Sequence, residues 1–296
     1  MDGHAVRRDS EQRPRGGGHG HADFESDRLV AFLEAEGEAA SGLTQEVIAL
    51  CAEQLEKAAQ PVERIIDLGS GPGVGTTSLC EAFPSATVVA VDGSSGMLER
   101  TRARAHRLGR GDQIETLRLD LDGALSALGS CDLVWAAMAI HHVTDEAATL
   151  TEIKSVLRPG GLLCVLERAE PTDTRLEHDL GRPGIWERLE AARREWLESV
   201  RARMPGAANA NAYPSMLAVA GFEIIAEQTL VDVVDNRGND GMREFIQRQL
   251  VQTAKDLADF ADGSDLEALE IAAAKPPEGA TIALSRKIFI ARPATR

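Results

Sequence analysis

From residue 64 onward, short apolar runs alternate with amphipathic stretches. Arg64–Leu68, Thr87–Val91, Ile114–Leu119, Leu133–Ala137 and Leu162–Leu166 are compact and rich in Ile, Leu and Val, as strands buried on both faces are. Between them, Thr76–Phe83, Gly96–Leu108 and Glu146–Leu157 carry apolar residues at helical spacing, and Arg158-Pro159-Gly160-Gly161 reads as the turn before the last of these strands. This alternation predicts an α/β fold, a doubly wound and mostly parallel sheet with helices on both faces.

The flanks differ from this repeat. Residues 1–21 are polar and Gly-rich without apolar periodicity, the pattern of a disordered tail. Residues 22–60 read as an N-terminal helical cap, with Leu29, Phe32, Leu33, Val47, Leu50 and Leu55 at helical intervals and Pro61 as its stop. The core is expected over 61–170. A helical cap insertion follows over 171–212, with Ile185, Leu189, Ala192, Trp196 and Val200 along one face. Residues 213–234 return to the core, 235–280 form a second and largely helical insertion, and 281–296 supply the final strand. Insertions of that length form lids, binding walls or dimer contacts, so a homodimer is among the arrangements the sequence allows.

The chemistry concentrates in Ile65-Ile66-Asp67-Leu68-Gly69-Ser70-Gly71-Pro72-Gly73-Val74-Gly75, which follows a strand and opens a helix. Glycines there let the chain turn sharply and let a ligand approach the backbone, while N–H groups at a helix start favour an anionic group. A nucleotide-hydrolase loop would end in Gly-Lys-Ser/Thr, but Thr76 follows Gly75 and no lysine is present. A dinucleotide fingerprint counted from Gly69 or Gly71 needs its third glycine at 74 or 76, which are Val74 and Thr76. Asp92 ends the second strand at about 20 residues beyond the central glycine, the place of a carboxylate that accepts from ribose hydroxyls. Asp120-Leu121 follows the third strand, with Asp122 as the rival acid.

These features, with Cys131–Val143, Leu157–Gly161 and Ala220-Gly221-Phe222, resemble class I Rossmann-like S-adenosylmethionine-dependent methyltransferases of the small-molecule, natural-product type. The resemblance implies a seven-stranded sheet whose last strand inserts antiparallel. It implies that the loop bearing Asp67, Gly69, Gly71 and Gly73 wraps the methionine end of S-adenosyl-L-methionine and that Asp92 holds the ribose. Asp120 would accept from the adenine amino group, Leu121 would flank the ring, and Ala137 would lie among the cofactor contacts. Met97 either covers the adenine or packs its helix. His141 and His142 lie just beyond the fourth strand, where open sheets present ligands, and an imidazole titrates in the range suited to proton removal. They are the candidate bases, and Glu167, ending the fifth strand, is the candidate for orienting the base or the acceptor. The expected reaction is in-line methyl transfer to an oxygen or nitrogen of a small molecule. Two rivals stay open: a cofactor-binding protein that does not methylate, and a nicotinamide-dependent oxidoreductase.

Charge narrows the partners. With 32 basic and 47 acidic residues the formal charge is −15, which repels phosphate backbones and argues against nucleic acid as substrate. The longest apolar run, Leu133–Ile140, falls far short of the ~20 residues of a membrane span, and no apolar segment follows the N-terminal arginines. A cytoplasmic location and no membrane partner are therefore expected. Cys51, Cys80, Cys131 and Cys164 lack paired spacing and read as reduced, buried hydrophobes. No metal site is expected, His4, His19 and His21 being read as solvated. Trp186, Trp196 and Tyr213 are scarce aromatics that either line an acceptor pocket or pack a core.

Overall fold

The apolar runs become β1 (Arg64–Leu68), β2 (Thr87–Asp92), β3 (Ile114–Arg118), β4 (Cys131–Ala137) and β5 (Leu157–Arg168), paired in parallel in the order β3-β2-β1-β4-β5. The computed structural model describes residues 27–59, 61–169, 174–175, 179–203, 210–237 and 240–294. The tail of 1–21 and its histidines lie outside the described residues. A two-residue strand β6 (Thr174–Arg175), then β7 (Phe222–Asp235) and β8 (Thr281–Pro293), complete the sheet. β8 runs antiparallel between β5 and β7, the reversed strand that the resemblance implied, and β6 adds a short pairing to the start of β8. The sheet is a Rossmann-like α/β sheet.

Side-chain alternation explains why β1, β2, β4 and β5 are largely apolar, while β3, at the edge of the sheet, stays partly exposed. Ile65, Leu133, Trp135, Leu162 and Cys164 face one side, where they meet α2 (Ser41–Lys57) and α3 (Val74–Ala82). Ile66, Leu68, Val134, Ala136, Leu163 and Val165 face the other, where α5 (Glu146–Val156) and α7 (Tyr213–Val219) pack. Each fully buried Ile, Leu or Val contributes about 1.5–3 kcal/mol, so both faces demand hydrophobes. All four cysteines are buried free thiols.

A second apolar cluster sits beside the sheet. It joins α1 (Asp27–Ala39), α6 (Ile185–Arg203), α8 (Asp240–Asp256) and α9 (Gly263–Ala274) to Ile282 and Leu284 at the start of β8. The stretch expected to be largely helical after residue 235 holds α8 and α9. Ile185, Leu189 and Ala192 of α6 are buried there, with Trp186 and Trp196 packed alongside. Both tryptophans are therefore packing residues of this cluster.

Two local readings change. The helix after the glycine loop starts at Val74, two residues earlier than its apolar spacing suggested, because Gly73 already caps it. The Arg158–Gly161 turn is absorbed into β5: Leu157 pairs with Cys131, Gly160 takes φ +85°, and the register shifts between Cys131 and Leu133. Buried Asp132 pins that end, accepting from the Glu63 and Arg64 N–H groups at 2.9 and 3.0 Å and from Arg158 at 3.0 Å. None of the helices among the described residues is long and apolar enough to cross a membrane.

Candidate active site

The glycine loop leaves β1 and enters α3 through three residues with positive φ: Gly69 at +69°, Gly71 at +52° and Gly73 at +84°. Gly73 is required twice over, since a Cβ there would stand 2.7 Å from Thr101 Cγ2 and 2.8 Å from Thr101 Cα. At Gly71 a Cβ would meet nothing within 4 Å, so this turn faces open space. Thr101 Oγ1 donates to the Gly71 carbonyl at 2.8 Å, tying the loop to α4 (Ser95–Arg107).

Asp92, at the end of β2, fixes the loop from the other side. Its Oδ2 accepts from the Gly71 N–H at 2.9 Å and its Oδ1 from the Ser94 N–H at 2.8 Å. Burial raises its pKa above the ordinary carboxylate value, and the Ser94 and Gly71 hydrogen bonds oppose that shift. Each carboxylate oxygen keeps a further acceptor position for a ligand. Asp67, buried at the end of β1, accepts from Thr76 Oγ1 at 2.6 Å. Burial pushes its pKa up to about 7, against the Thr76 hydrogen bond and with the help of the Asp92 charge.

Of the two rival acids after β3, Asp122 is engaged in the fold. Its oxygens accept from the Thr144 N–H at 2.6 Å and Thr144 Oγ1 at 2.8 Å, stapling this loop to the one after β4. Among the described residues, the Asp120 side chain accepts only a local turn contact, from the Asp122 N–H at 3.1 Å.

Beyond β4 the chain turns through Met138, a non-glycine residue at φ +54°, strain of the kind that gathers at functional turns. That turn brings His141 Nδ1 to 2.7 Å from Glu167 Oε2. Glu167 is buried, and its Oε1 accepts from the Tyr213 hydroxyl at 3.0 Å. Burial, then Glu167, drives the Tyr213 pKa far upward, so Tyr213 remains a donor. An ionised Glu167 only accepts, so the proton of this contact lies on His141 Nδ1, and in the neutral imidazole Nε2 then carries the lone pair. His142 packs its ring against His141 at 4.0 Å between centroids. Glu146, at the start of α5, is raised by burial and by Glu167, with His141 opposing.

These groups open on one cavity of about 870 Å³. Asp67, Gly69, Gly71 and Asp92 line it at the loop, Met97, Asp120 and Leu121 beside them, and Ala137, His141 and His142 beyond β4. Gly73 and Glu167 are not among the lining residues: Gly73 packs on Thr101, and Glu167 stands behind His141. Tyr213 lies fully buried behind Glu167 and is not among the residues lining this cavity. The structure adds residues that sequence reasoning passed over. Leu29, Leu33, Glu36 and Gly37 of α1 form one wall, Arg286 of β8 another, and Ser70 and Trp135 join the loop side. The spacing of Leu29, Phe32 and Leu33 marked a helix face in the sequence, but nothing in it said what that face covers or singled out Glu36.

Comparison with known proteins agrees with this geometry. Residues 65–161 match the methyltransferase domain family. A malonyl-[acyl-carrier protein] O-methyltransferase of Gallionella capsiferriformans is 35% identical over 145 residues, 48% of this chain and 50% of that protein. A trans-aconitate 2-methyltransferase of Deinococcus radiodurans is 33% identical over 106 residues, 36% of this chain and 38% of that protein. The chain thus spans about half or less of the length of these curated relatives. A crystal structure from Bacillus halodurans shares the fold at a TM-score of 0.52, with 18% identity, covering 83% of this chain and 99% of that one. Residues 65–161 are a methyltransferase domain of the Rossmann-like class. The cofactor of that class is S-adenosylmethionine.

The cavity fits that cofactor. Among the described residues, Ser70 Oγ and Trp135 Nε1 are the buried side-chain polar atoms without a partner, and both residues line the loop side of the cavity. α3 starts without a side-chain cap, leaving its first N–H groups for an anionic ligand group. Asp92 and Asp120 offer unused acceptor positions.

Proposed function

We propose that this chain is an S-adenosylmethionine-dependent methyltransferase of a small-molecule acceptor, with His141 as the base in transfer to an oxygen or nitrogen. The observation that carries the reading is a shared cavity: the glycine loop with Asp92, and His141 backed by Glu167, open on the same space. Relatives named for trans-aconitate and malonyl-carrier acceptors support a small or carrier-bound acceptor. The bound cofactor supplies an electrophilic methyl group on a sulfonium.

The chain's own residues do the rest. The loop and Asp67 hold the methionine end, Asp92 takes the ribose hydroxyls, and Asp120, Leu121 and Met97 take the adenine. Ala137 shapes the floor between the two halves of the cavity. His141 Nε2 takes the proton that the acceptor loses, while Nδ1–H donates to Glu167, whose charge stabilises the imidazolium. Tyr213 and burial hold Glu167 in place for that contact. His142 supports the His141 ring. Positioning the two reactants supplies several kcal/mol, and the base adds ~10²–10⁴-fold. The excess negative charge supports a small acceptor over a nucleic acid.

Incubating the protein with methyl-labelled cofactor and a metabolite extract tests the reading. Label should move to an extract component, and His141→Ala should slow that transfer ~10²–10⁴-fold while S-adenosylhomocysteine still binds. Binding of S-adenosylhomocysteine without transfer to any component would favour a non-methylating protein. Preference for a nicotinamide dinucleotide would overturn the cofactor assignment.

A further inference from the structure

The cavity is built asymmetrically. Across the strand ends, Asp120 follows β3, Asp92 ends β2, the glycine loop follows β1 and His141 follows β4. The acids therefore sit over the cofactor half of the sheet. Past His141 come β5 and β8. Because β8 is antiparallel, its early residues share the edge where the parallel strands end, and Arg286 pairs with Arg168, the last residue of β5. Arg286 is the one arginine or lysine among the described residues lining the cavity.

A guanidinium seldom sits in such a place without a strong reason. Arg286 is 4% exposed, and its contacts are Glu36 Oε1 at 2.8 Å and the Ser285 carbonyl at 3.2 Å. Arg168 reaches the same Glu36 oxygen at 3.3 Å. Two positive charges thus share one carboxylate oxygen. Glu167, the other acid that acts on Arg286, is already committed to His141 and Tyr213. Burial lowers the Arg286 pKa below the usual arginine value; Glu36 and Glu167 oppose this and Arg168 adds to it. Glu36 is shared between two guanidiniums, and Arg286 keeps N–H donors beyond these two contacts on the acceptor half of the cavity. Two strand spacings of ~4.8 Å put Arg286 on the order of 10 Å from the His141 strand, a distance a small molecule spans.

Building on the methyltransferase reading, we propose that Arg286 anchors a carboxylate on the methyl acceptor, with Glu36 holding the guanidinium in position. The planar fork of arginine matches a carboxylate in a two-point contact, and Arg168 adds to the attraction. The acceptor is thus a molecule that presents its nucleophile near His141 and a carboxylate over β8.

The test titrates the S-adenosylhomocysteine-loaded protein with matched pairs differing only in charge, hydroxybenzoate against hydroxybenzamide and malate against malamide. At least one acid should bind about 10- to 100-fold more tightly than its amide. That preference should vanish in Arg286→Met, persist in part in Arg286→Lys, and grow in Glu36→Gln, which frees the guanidinium. Arg286→Lys and Glu36→Gln keep the test decisive if Arg286→Met fails to fold. No acid binding better than its amide overturns the proposal. So does a loss of more than about tenfold in S-adenosylhomocysteine affinity in Arg286→Met, since the arginine would then serve the cofactor's own carboxylate. Failure of the wild-type protein to bind S-adenosylhomocysteine would instead sink the methyltransferase reading.

Discussion

Asp92→Asn separates a structural acid from a ligand-binding one. In the fold the Asp92 carboxylate accepts the Gly71 and Ser94 N–H groups at 2.9 and 2.8 Å. An amide offers one acceptor oxygen and turns an NH2 toward the other donor, so one of these bonds is lost. A hydrogen bond to a charged group is worth about 1.5–3 kcal/mol. In the free protein the loss is partly offset, because burial already disfavours the charge of Asp92 and the neutral amide removes that cost. In the complex nothing offsets it: the ribose hydroxyls lose a carboxylate acceptor, another ~1.5–3 kcal/mol, or about 10- to 150-fold in Kd. Calorimetric titration with S-adenosylhomocysteine, beside thermal unfolding of both proteins, measures the two effects separately. The expected result is a small change in melting and a large loss of affinity. A folded variant that binds within threefold of wild type would refute the ribose assignment. Because the Asp92 pKa is raised and binding uses its charged form, affinity should also begin to fall on acidification above the ordinary carboxylate range.

Two further outcomes follow from the loop. Gly73→Ala places a Cβ 2.7 Å from Thr101 in a left-handed backbone conformation and should cost about 2–4 kcal/mol, read from denaturant unfolding; Ala at Gly71, where the space is open, should cost less stability and more S-adenosylhomocysteine affinity. Asp67 has a folded pKa of about 7 against the ordinary carboxylate value of 3.8, so the folded state binds the extra proton between those values. Stability of the free protein should therefore fall as pH rises through that window, the Asp67 share reaching up to about 4 kcal/mol, and Asp67→Asn should flatten the slope in urea titrations at several pH values, leaving the smaller part due to Asp92 and Glu146.

The alternation of apolar runs and helical stretches was enough to determine a parallel, doubly wound sheet, because central strands buried on both faces are hydrophobic at nearly every position. The glycine spacing and the acids after the second and third strands were legible too. They are local: a loop between adjacent elements carries its backbone requirements in its own residues, as Gly73 shows. The choice of Asp120 over Asp122 could only be argued from nearness to the strand end, and what engages Asp122 is Thr144, a partner on another loop. Contacts between distant segments were hidden. Glu167, His141 and Tyr213 come from β5, the loop after β4 and the start of α7, and their hydrogen bonds depend on how those elements meet. Arg286 and Glu36 are separated by nearly the whole chain. They meet because β8 inserts backwards beside β5 and α1 folds over the strand ends. Periodicity tells a residue which face of its own element it occupies; what stands opposite is set by the packing of elements, and only the tertiary structure decides it.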